Sequence, residues 1–558
     1  MLSFLSRSRI PVWLACVPVC AVVAQAPATY PVHGVVLNRI THQPIARALV
    51  DGQFDAALTD SEGRFELNLP LETNQISVRR PGFTQRGQGM DQIVMLTANT
   101  PDLTLYLTPQ ATITGHISLS NGDDPVGIRF YAYRLQVAEG REQWGTSGIV
   151  TTNSEGIFRL PNIDAPATYV LCNMPAQDQN RPATRSAQVL GYPSVCYPGP
   201  ISSSTNRSSA NLLAVKPGQQ VDFELTLTRQ PFFPVSIAIQ NQEPGQPARI
   251  GIFDESGRPL NFPAHRNEQQ GVTEFNLPNG NYYAESFMPG QKSGYGRIDF
   301  HVANRPLPGL SMVIHSLHPI PVEIRKNFTE KSALDQIQIQ GRINSAMTAG
   351  LSLSFMPVDS VGGNRSGGGL QPVEGSSSGS QFEIDGVEPG RYWVQTYPFE
   401  GYISSITSGG VDLSREPLVV AIGSTAAPIQ ITLRNDVGEI ECTVNPSSPA
   451  GPANPSQSPE VSFTFIYAIP VAQTQSHIQP ALSQGPGQVT IPNLPPGTYR
   501  VVAFDHFQEI DLSDAQSLAR LTANAQTVKV TPGSSASVQV DLVHTGESEP
   551  NESGNADL

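Results

Sequence analysis

The sequence predicts an all-β protein, a tandem array of about five Ig- or transthyretin-like β-sandwich domains. Two observations support this prediction. The chain of 558 residues contains 48 glycines and 49 prolines, which favour turns, while 39% of its residues are hydrophobic and can form cores. In addition, an apolar strand, a turn and a tyrosine recur together, at a spacing of domain size rather than that of a short solenoid repeat.

The tyrosine marks four of the expected domains. It occurs in IDAPATYVLC, LPNGNYYAES, VEPGRYWVQT and LPPGTYRVVA, and successive copies are 113, 110 and 107 residues apart. The four residues are Tyr169, Tyr282, Tyr392 and Tyr499. Each follows a segment of alternating apolar residues, such as Phe158 and Leu160, and a turn rich in proline, glycine or asparagine. We expect a hairpin at each place, with the tyrosine on its second strand.

A further strand with a period of two closes most repeats. The segments are KPGQQVDFELTL (216–227), AIGSTAAPIQITL (421–433) and TPGSSASVQVDL (531–542), and in the N-terminal region TPDLTLYL (100–107) after GRFELNL (63–69). The predicted domains are 25–110, 111–230, 231–330, 331–435 and 436–545, called modules 1 to 5 below, and a disordered acidic tail follows at 546–558. One helix is predicted, in DLSDAQSLARL (511–521), where Ser513 can act as N-cap.

The N-terminus has the three-part layout of a secretory signal peptide. Arg7 and Arg9 precede an apolar stretch from Ile10 to Ala24, and small residues follow. We expect cleavage after Ala24, so that residues 1–24 are removed and the protein is secreted, periplasmic or on the cell surface. A membrane anchor is the alternative, but the apolar stretch is shorter than the ~20 residues of a spanning helix. No membrane insertion is therefore expected once the signal is removed.

Charge and cysteine content narrow the class of partner and the compartment. The net charge of −14 argues against nucleic acid and anionic membranes, which require a basic surface. Beyond the signal peptide, Cys172 and Cys196 are close enough in sequence to form a disulfide in an oxidising compartment. In GEIECTV the residues Ile440, Cys442 and Val444 alternate with polar residues, so Cys442 is expected on the buried face of a strand as a free thiol.

The segment TDSEGRF (59–65) and its copy TNSEGIF (152–158) could be calcium loops or turns. Asn153 replaces Asp60 in the second copy, and the twelve-residue ligand spacing of an EF-hand is absent. We therefore predict a tight hairpin turn, in which Asp60 accepts backbone hydrogen bonds and Gly63 adopts a positive φ.

Module 1 resembles the carboxypeptidase regulatory-like domain, a transthyretin-type β-sandwich. The resemblance rests on GVV, QPIARALV, TDSEGRFEL and the strand ending in RPGF, all within 32–83. The later modules resemble the degenerate copies found in large secreted proteins of soil bacteria. The resemblance implies an exported and usually non-catalytic protein, of a type often grouped with carbohydrate-binding-like sandwiches.

No catalytic residue, metal site or cofactor is predicted. His265 and Glu268 have the His-x-x-Glu spacing of a zinc carboxypeptidase, with His301 as a third ligand to consider, but their surroundings have the character of a polar loop. Ser377 lies in a Gly-x-Ser-x-Gly match, but glycine and serine flank it instead of the strand and helix that a nucleophile elbow requires.

Aromatic side chains are the predicted binding residues. The register of the tyrosine strand turns Trp393 and Tyr397 outward, and Tyr283 takes the position of Trp393 in module 3. Trp144 is expected in a loop of module 2, where loops at the end of a sandwich can bind, with a local packing role as the alternative. Flat rings on an exposed sheet face can stack on sugar rings or contact a protein, unless a neighbouring module covers them. The predicted function is binding of an extracellular glycan or protein surface. A structural spacer of the cell envelope is the alternative, and an accessory part of a metallocarboxypeptidase system ranks last.

Overall fold

The computed structural model of the chain describes residues 29–70, 73–85, 92–95, 102–138, 140–177, 188–201, 212–241, 249–288, 294–329, 349–358, 361, 369–373, 381–446, 463–472, 478 and 480–544. Within them the chain forms strands and one short helix, arranged as a series of β-sandwiches. The predicted fold class is confirmed. The predicted signal peptide, Ser377 and the acidic tail lie outside the described residues.

The strands follow one another in chain order. Module 1 contains β1 (Thr29–Asn38), β2 (Leu49–Asp51), β3 (Ala56–Leu58), β4 (Arg64–Pro70), β5 (Thr73–Arg79), β6 (Phe83–Thr84), β7 (Gln92–Met95) and β8 (Leu103–Pro109). Module 2 contains β9 (Ala111–Leu119), β10 (Arg129–Ala138), β11 (Arg141–Thr151), β12 (Ile157–Ile163), β13 (Ala167–Asn173), β14 (Ala176–Gln177), β15 (Val189–Tyr192), β16 (Cys196–Tyr197), β17 (Leu213–Val215) and β18 (Gln220–Leu227). Module 3 contains β19 (Gln230–Gln240), β20 (Arg249–Asp254), β21 (Pro259–Leu260), β22 (His265–Asn267), β23 (Val272–Pro278), β24 (Gly280–Met288), β25 (Gly294–Val302), β26 (Leu307–Val313) and β27 (His315–Ser316).

The last two modules complete the series. Module 4 contains β28 (Ile320–Asn327), β29 (Leu351–Pro357), β30 (Leu370–Pro372), β31 (Gln381–Ile384), β32 (Gly390–Pro398), β33 (Tyr402–Ser408), β34 (Val411–Asp412), β35 (Leu418–Val420) and β36 (Ile429–Arg434). Module 5 contains β37 (Gly438–Asn445), β38 (Phe463–Pro470), β39 (Ala481–Gln484), β40 (Gln488–Leu494), β41 (Gly497–Phe504), the helix α1 (Ala515–Leu521), β42 (Gln526–Val530) and β43 (Ser535–Val543). No helix of the described residues is long and apolar enough to cross a membrane.

Every module repeats one pairing pattern. Its first strand pairs antiparallel with the strand before the predicted turn and parallel with the closing strand. These sets are β1 with β4 and β8, β9 with β12 and β18, β19 with β23 and β26, β28 with β31 and β36, and β37 with β40 and β43. The tyrosine strands pair with the second strand of the module: β13 with β10, β24 with β20, β32 with β29 and β41 with β38.

This pairing corrects one predicted domain boundary. Strand β28 falls inside the range 231–330 predicted for module 3, yet it pairs with β31 and β36. We therefore count β28 with module 4, and the chain leaves module 3 after β27. The partners of β28 are distant in sequence, so no local pattern indicates the module to which this strand belongs.

The predicted hairpin before each tyrosine is also wrong. In module 2, β12 pairs with β9 while β13 pairs with β10, so the two strands lie in opposing sheets and the turn between them crosses the core. The tyrosine repeats of modules 3 and 4 have the same arrangement. In module 5, β40 and β41 do not pair with each other either, but β43 pairs with both β37 and β41 and joins the two sets of strands into one continuous sheet. Both strands turn their apolar residues towards one shared core. Alternation of side chains therefore cannot distinguish such a crossing from a hairpin.

The recurring tyrosine fixes that crossing. In each copy the tyrosine is buried, and its hydroxyl donates a hydrogen bond to a backbone carbonyl four or five residues upstream. The bonds are Tyr169 to Asp164 (2.7 Å), Tyr282 to Pro278 (3.1 Å), Tyr392 to Glu388 (2.9 Å) and Tyr499 to Pro495 (2.6 Å). This is the tyrosine corner of Ig-type sandwiches, in which one side chain fills the core and satisfies the backbone of the bend.

Each module encloses its own hydrophobic core between the two sheets. The residues that the alternating segments place inward are buried in all five. Representative core residues are Val36, Leu67 and Leu105; Phe130, Phe158 and Tyr169; Phe232, Val235 and Leu277; Phe355, Phe382 and Ile431; and Ile440, Ile466 and Val501. Burial of each side chain of this size contributes about 1.5–3 kcal/mol, so each core is an independent source of stability.

The turns at 59–65 and 152–158 are built alike. In both, one side-chain oxygen accepts two backbone N–H bonds, and a glycine with φ +74° follows. The bonds run from Glu62 N and Arg64 N to Asp60 Oδ1 (both 2.8 Å), and from Glu155 N (3.0 Å) and Ile157 N (2.8 Å) to Asn153 Oδ1. An amide oxygen makes the same bonds as a carboxylate, so the geometry requires no cation. Because β3 and β4 lie in different sheets, the turn links two sheets and is not a hairpin turn.

Modules 2 and 3 share a sheet. Strands β14 and β15 of module 2 pair with each other, and β15 then pairs antiparallel with β19, Val189 lying opposite Phe232. A disulfide between Cys172 and Cys196, whose Cα atoms are 4.0 Å apart, closes the segment that carries both strands. Cys442 is a buried free cysteine of module 5.

The helix α1 is capped by a different residue from the one predicted. The side chain of Asp514 accepts hydrogen bonds from the backbone of Gln516 and Ser517. Ser513, the predicted cap, instead donates its hydroxyl to the carboxylate of Asp511 at 2.5 Å.

Candidate binding site

Trp393, one of the predicted binding residues, lies at a contact between two modules. Its side chain is half-buried on β32, and the guanidinium carbon of Arg141 lies 3.5 Å from the centre of a ring of the indole. Arg141 is the first residue of β11, so this cation–π contact joins module 2 to module 4. One face of the indole is therefore occupied by the protein itself.

Tyr283 and Trp144 do not offer the exposed ring that a binding role requires. Tyr283 is 8% exposed, stacks on Phe253 with 5.0 Å between ring centres, and is covered by the guanidinium of Arg297 at 3.7 Å. Trp144 is 6% exposed and belongs to a cluster that includes Val361 of module 4. The expected outward exposure of Tyr283 is wrong, because Phe253 and Arg297 cover its ring. The expected loop position of Trp144 is also wrong, since this residue lies on β11, and its burial corresponds to the alternative of a packing role.

Tyr397 is the predicted aromatic that remains exposed. It is 36% exposed, and its hydroxyl donates to Oε1 of Gln395 at 3.3 Å. The ring of Phe399, two residues further along the chain, is also exposed. The role of Tyr397 in binding stays a prediction.

A cavity of about 400 Å³ lies where modules 2, 4 and 5 meet. Its lining residues are Arg141 of module 2, Arg415 of module 4, and Ile469, Pro470, Val471, Ala472, Arg500 and Leu518 of module 5. The other lining residues have apolar side chains, but most of the accessible surface of the cavity is polar. The three arginines lie in three modules and share no local motif, so their convergence has no signal in the sequence.

The hairpin of β10 and β11 carries Arg141 to this junction. Two contacts hold the hairpin on module 5. Leu512 N donates to the carbonyl of Gly140 at 2.9 Å, and a guanidinium nitrogen of Arg134 lies 3.4 Å from Oε1 of Glu509. Arg141 directly follows Gly140, so its position is fixed by backbone contacts as well as by stacking on Trp393.

The other two arginines approach from modules 4 and 5. Arg500 points away from the core on β41 because its neighbours Tyr499 and Val501 point inward, and it donates to Oγ1 of Thr522 at 3.4 Å. Arg415 follows β34, and its Nε lies 3.7 Å from a carboxylate oxygen of Asp412. Both side chains are exposed, so most of their N–H donors remain available to a ligand.

Burial and a nearby carboxylate act on Arg141 in opposite directions. Desolvation lowers the pKa of Arg141, while the charge of Asp511 works to raise it, and the net shift is downward. Asp511 is itself 8% exposed and is hydrogen-bonded to Ser513. No hydrogen bond to the Arg141 guanidinium is found among the residues that the structure describes.

The residues considered for zinc do not come together. His265 lies on β22 opposite Glu274, and the ring of His301 is hydrogen-bonded to the side chain of Asn281 on β24. Within the described ranges, no three histidine, cysteine, aspartate or glutamate side chains form a group that could hold a metal ion. Cys172 and Cys196 are joined in the disulfide described above.

No protein-family model matches the chain, and no curated protein does. Among solved structures the chain is similar to the Bacillus anthracis TIE protein, with 10% identity over 93% of this chain and 69% of that chain and a TM-score of 0.13. It is also similar to the shaft pilin SpaA from Lactobacillus rhamnosus GG (11% identity, 36% and 97% covered, TM-score 0.19). A third similar structure contains two B repeat units of the collagen binding protein of Staphylococcus aureus, with 12% identity over 73% of this chain and 99% of that chain and a TM-score of 0.11. Likenesses at such low TM-scores carry no argument, and the fold rests on the strand pairing described above.

Proposed function

We propose that this chain is an exported, non-catalytic protein that binds an extracellular glycan or protein surface. The cavity between modules 2, 4 and 5 carries this proposal. It brings three cationic side chains from separate modules to one concave and mostly polar surface. Convergent, well-placed polar groups in a concave site fix the orientation of a ligand and give specificity.

The remaining predicted properties belong to the same proposal. We propose that module 1 is a carboxypeptidase regulatory-like domain, which the residues at 32–83 and the two-sheet arrangement of β1 to β8 support. The signal peptide layout and the Cys172–Cys196 disulfide support export to an oxidising compartment. Apart from the boundary corrected above, the predicted domain limits are retained.

Affinity electrophoresis of the mature protein tests the binding function. The protein should migrate more slowly in gels that contain the polysaccharide it recognises, and a parallel panel of immobilised surface proteins tests the other class of partner. Trp393→Ala should reduce the retention, since it removes the platform on which Arg141 rests. Phe54→Ala, at an exposed aromatic of module 1, is the matched control and should leave retention unchanged.

A spacer of the cell envelope is the second candidate function, and the contacts between modules favour it. Modules 2 and 3 share a sheet through β15 and β19, and module 2 also contacts modules 4 and 5. A chain braced in this way resists bending, as a spacer must. Failure of the protein to bind every glycan and protein surface offered would favour this function over binding.

A further inference from the structure

We propose that the cavity between modules 2, 4 and 5 binds the carboxylate of an acidic sugar unit, with Arg141, Arg415 and Arg500 as the groups that bind it. The inference rests on the proposed binding function and names its class of ligand. The whole chain has a net charge of −14, yet among the described residues the charged side chains that line this cavity are all arginines. A concave site lined by positive charges attracts anions, even on a protein whose net charge is negative.

The guanidinium of Arg141 is held ready for such a ligand. Stacking on Trp393 covers one of its faces but leaves the N–H donors in the plane of the group. Planar, fixed N–H donors match the two oxygens of a carboxylate, and such bidentate pairs are among the strongest hydrogen bonds in proteins. Because the group is already ordered, little conformational entropy is lost when the ligand binds.

The counter-charges of the protein do not saturate the three arginines. Asp511 acts on Arg141 from a buried position, where Ser513 holds its carboxylate. Asp412 lies 3.7 Å from Arg415, and Arg500 has a neutral hydroxyl as its hydrogen-bond partner. Among the described residues, Asp511 and Asp412 thus act on two of the three guanidinium groups. An added anion would offset the cost of burying Arg141, which its lowered pKa reflects.

The cavity suits a sugar ring better than an acidic peptide. Its volume of about 400 Å³ lies in the lower part of the range of ~300–1,000 Å³ that small-ligand sites occupy. Val471, which is half-exposed, and the partly buried Leu518 form an apolar wall that can contact the C–H groups of a ring while the carboxylate meets the arginines. An aspartate or glutamate side chain could reach the arginines, but it carries no ring to cover this wall.

Titration calorimetry on the mature protein tests the assignment. The probes are short oligogalacturonates, galacturonate monomer, a neutral malto-oligosaccharide and poly-L-glutamate, each at low and at high sodium chloride. Oligogalacturonate should bind, the neutral oligosaccharide should not, and salt should weaken binding because the contact is between charges. Comparison of the monomer with the oligomer shows whether the site takes a free sugar acid or a unit of a polymer.

Variants locate the binding. Arg500→Gln and Arg415→Gln change exposed side chains and should each weaken oligogalacturonate binding by at least about ten-fold, since each removes a charge-assisted hydrogen bond. Arg325→Gln, at an exposed arginine of β28 outside the cavity, is the control and should bind normally. Thermal unfolding of every variant separates loss of binding from loss of folding.

Four results would overturn the assignment. Binding of poly-L-glutamate without binding of oligogalacturonate would identify an acidic peptide as the ligand. Oligogalacturonate binding that survives both substitutions would place the site elsewhere. Binding of a neutral glycan or a protein, unaffected by the arginine variants, would refute the anion site while leaving the proposed binding function intact. Absence of binding to every partner would refute both.

Discussion

Single buried tyrosines connect sequence to fold in this chain. Tyr169 has no exposed surface, and its hydroxyl is committed to the carbonyl of Asp164. Burial raises the pKa of Tyr169 to about 12, because an ionised phenolate would lose its hydration inside the core. Tyr282, Tyr392 and Tyr499 make the same kind of hydrogen bond in their modules, and burial likewise raises the pKa of Tyr282 and Tyr499.

The raised pKa predicts a loss of stability in alkali. In the unfolded chain a tyrosine ionises near its ordinary pKa of ~10, whereas Tyr169 does so at about 12. Its contribution to stability is therefore fully present below pH ~10 and is lost as the pH rises from ~10 towards ~12. Urea unfolding at a series of pH values should show this decline.

Tyr169→Phe identifies the source of that decline. The substitution should destabilise the protein at pH 7 by about 1 kcal/mol, since it removes the hydrogen bond to Asp164, and should make the alkaline decline shallower. Tyr30→Phe, at an exposed tyrosine, is the control for both effects. An alkaline decline of unchanged steepness in Tyr169→Phe would show that another group is responsible.

At the scale of strands and turns, the segment closed by the disulfide links two modules. Cys172 and Cys196 are 24 residues apart, and β14 and β15, which join the sheet of module 3, lie between them. Closure of a loop of this length restricts the unfolded chain and keeps β15 near β19 in the folded one.

Replacement of both cysteines by serine should therefore act on two modules. We expect a loss of about 3 kcal/mol in the unfolding of module 2, together with faster hydrogen exchange in β15 and in the part of β19 that pairs with it. Wild-type protein treated with a reducing agent should behave like the double variant, and the double variant should not respond to the reductant. Unchanged exchange in β19 would mean that β15 is held by its own pairing alone.

Local patterns explain which elements could be predicted. The alternation of Phe158 and Leu160, or of Val538 and Val540, depends only on the period of a strand, so these strands were predictable. The passage of the chain from one sheet to the other could not be predicted, because a strand turns the same residues inward in a hairpin and in an opposing sheet. Strand β28 was assigned to the wrong module since its partners β31 and β36 are distant in sequence.

For the molecule as a whole, contacts between modules decide what the surface presents. Trp393 and Trp144 were expected from their strand register and loop position to be accessible, but module 2 covers the first and module 4 helps to bury the second. The arginines of the cavity were missed for the same reason. Their convergence depends on how whole modules pack, which no periodicity within a strand encodes.

The contact between modules 2 and 5 can be tested through one amide. Leu512 N donates to Gly140, next to the ion pair of Arg134 and Glu509. Glu509→Gln removes the charge from this partly exposed pair, and we expect exchange of the peptide around Leu512 to become about two- to five-fold faster, as the loss of such a pair implies. Asp164→Asn removes the other carboxylate on Arg134, within module 2, and should leave that peptide unchanged. Equal exchange in wild type and Glu509→Gln would show that the ion pair does not hold the modules together.

The shared sheet of modules 2 and 3 also constrains how such a chain can evolve. Recombination at the sequence boundary near residue 230 would separate β19 from β15 and leave Phe232, which is fully buried, at an uncovered sheet edge. The unit that gene duplication or domain shuffling could move intact is therefore the pair of modules from β9 to β27, disulfide included. Duplication of the two modules together would preserve the pairing of β15 with β19, whereas duplication of a single module would destroy it.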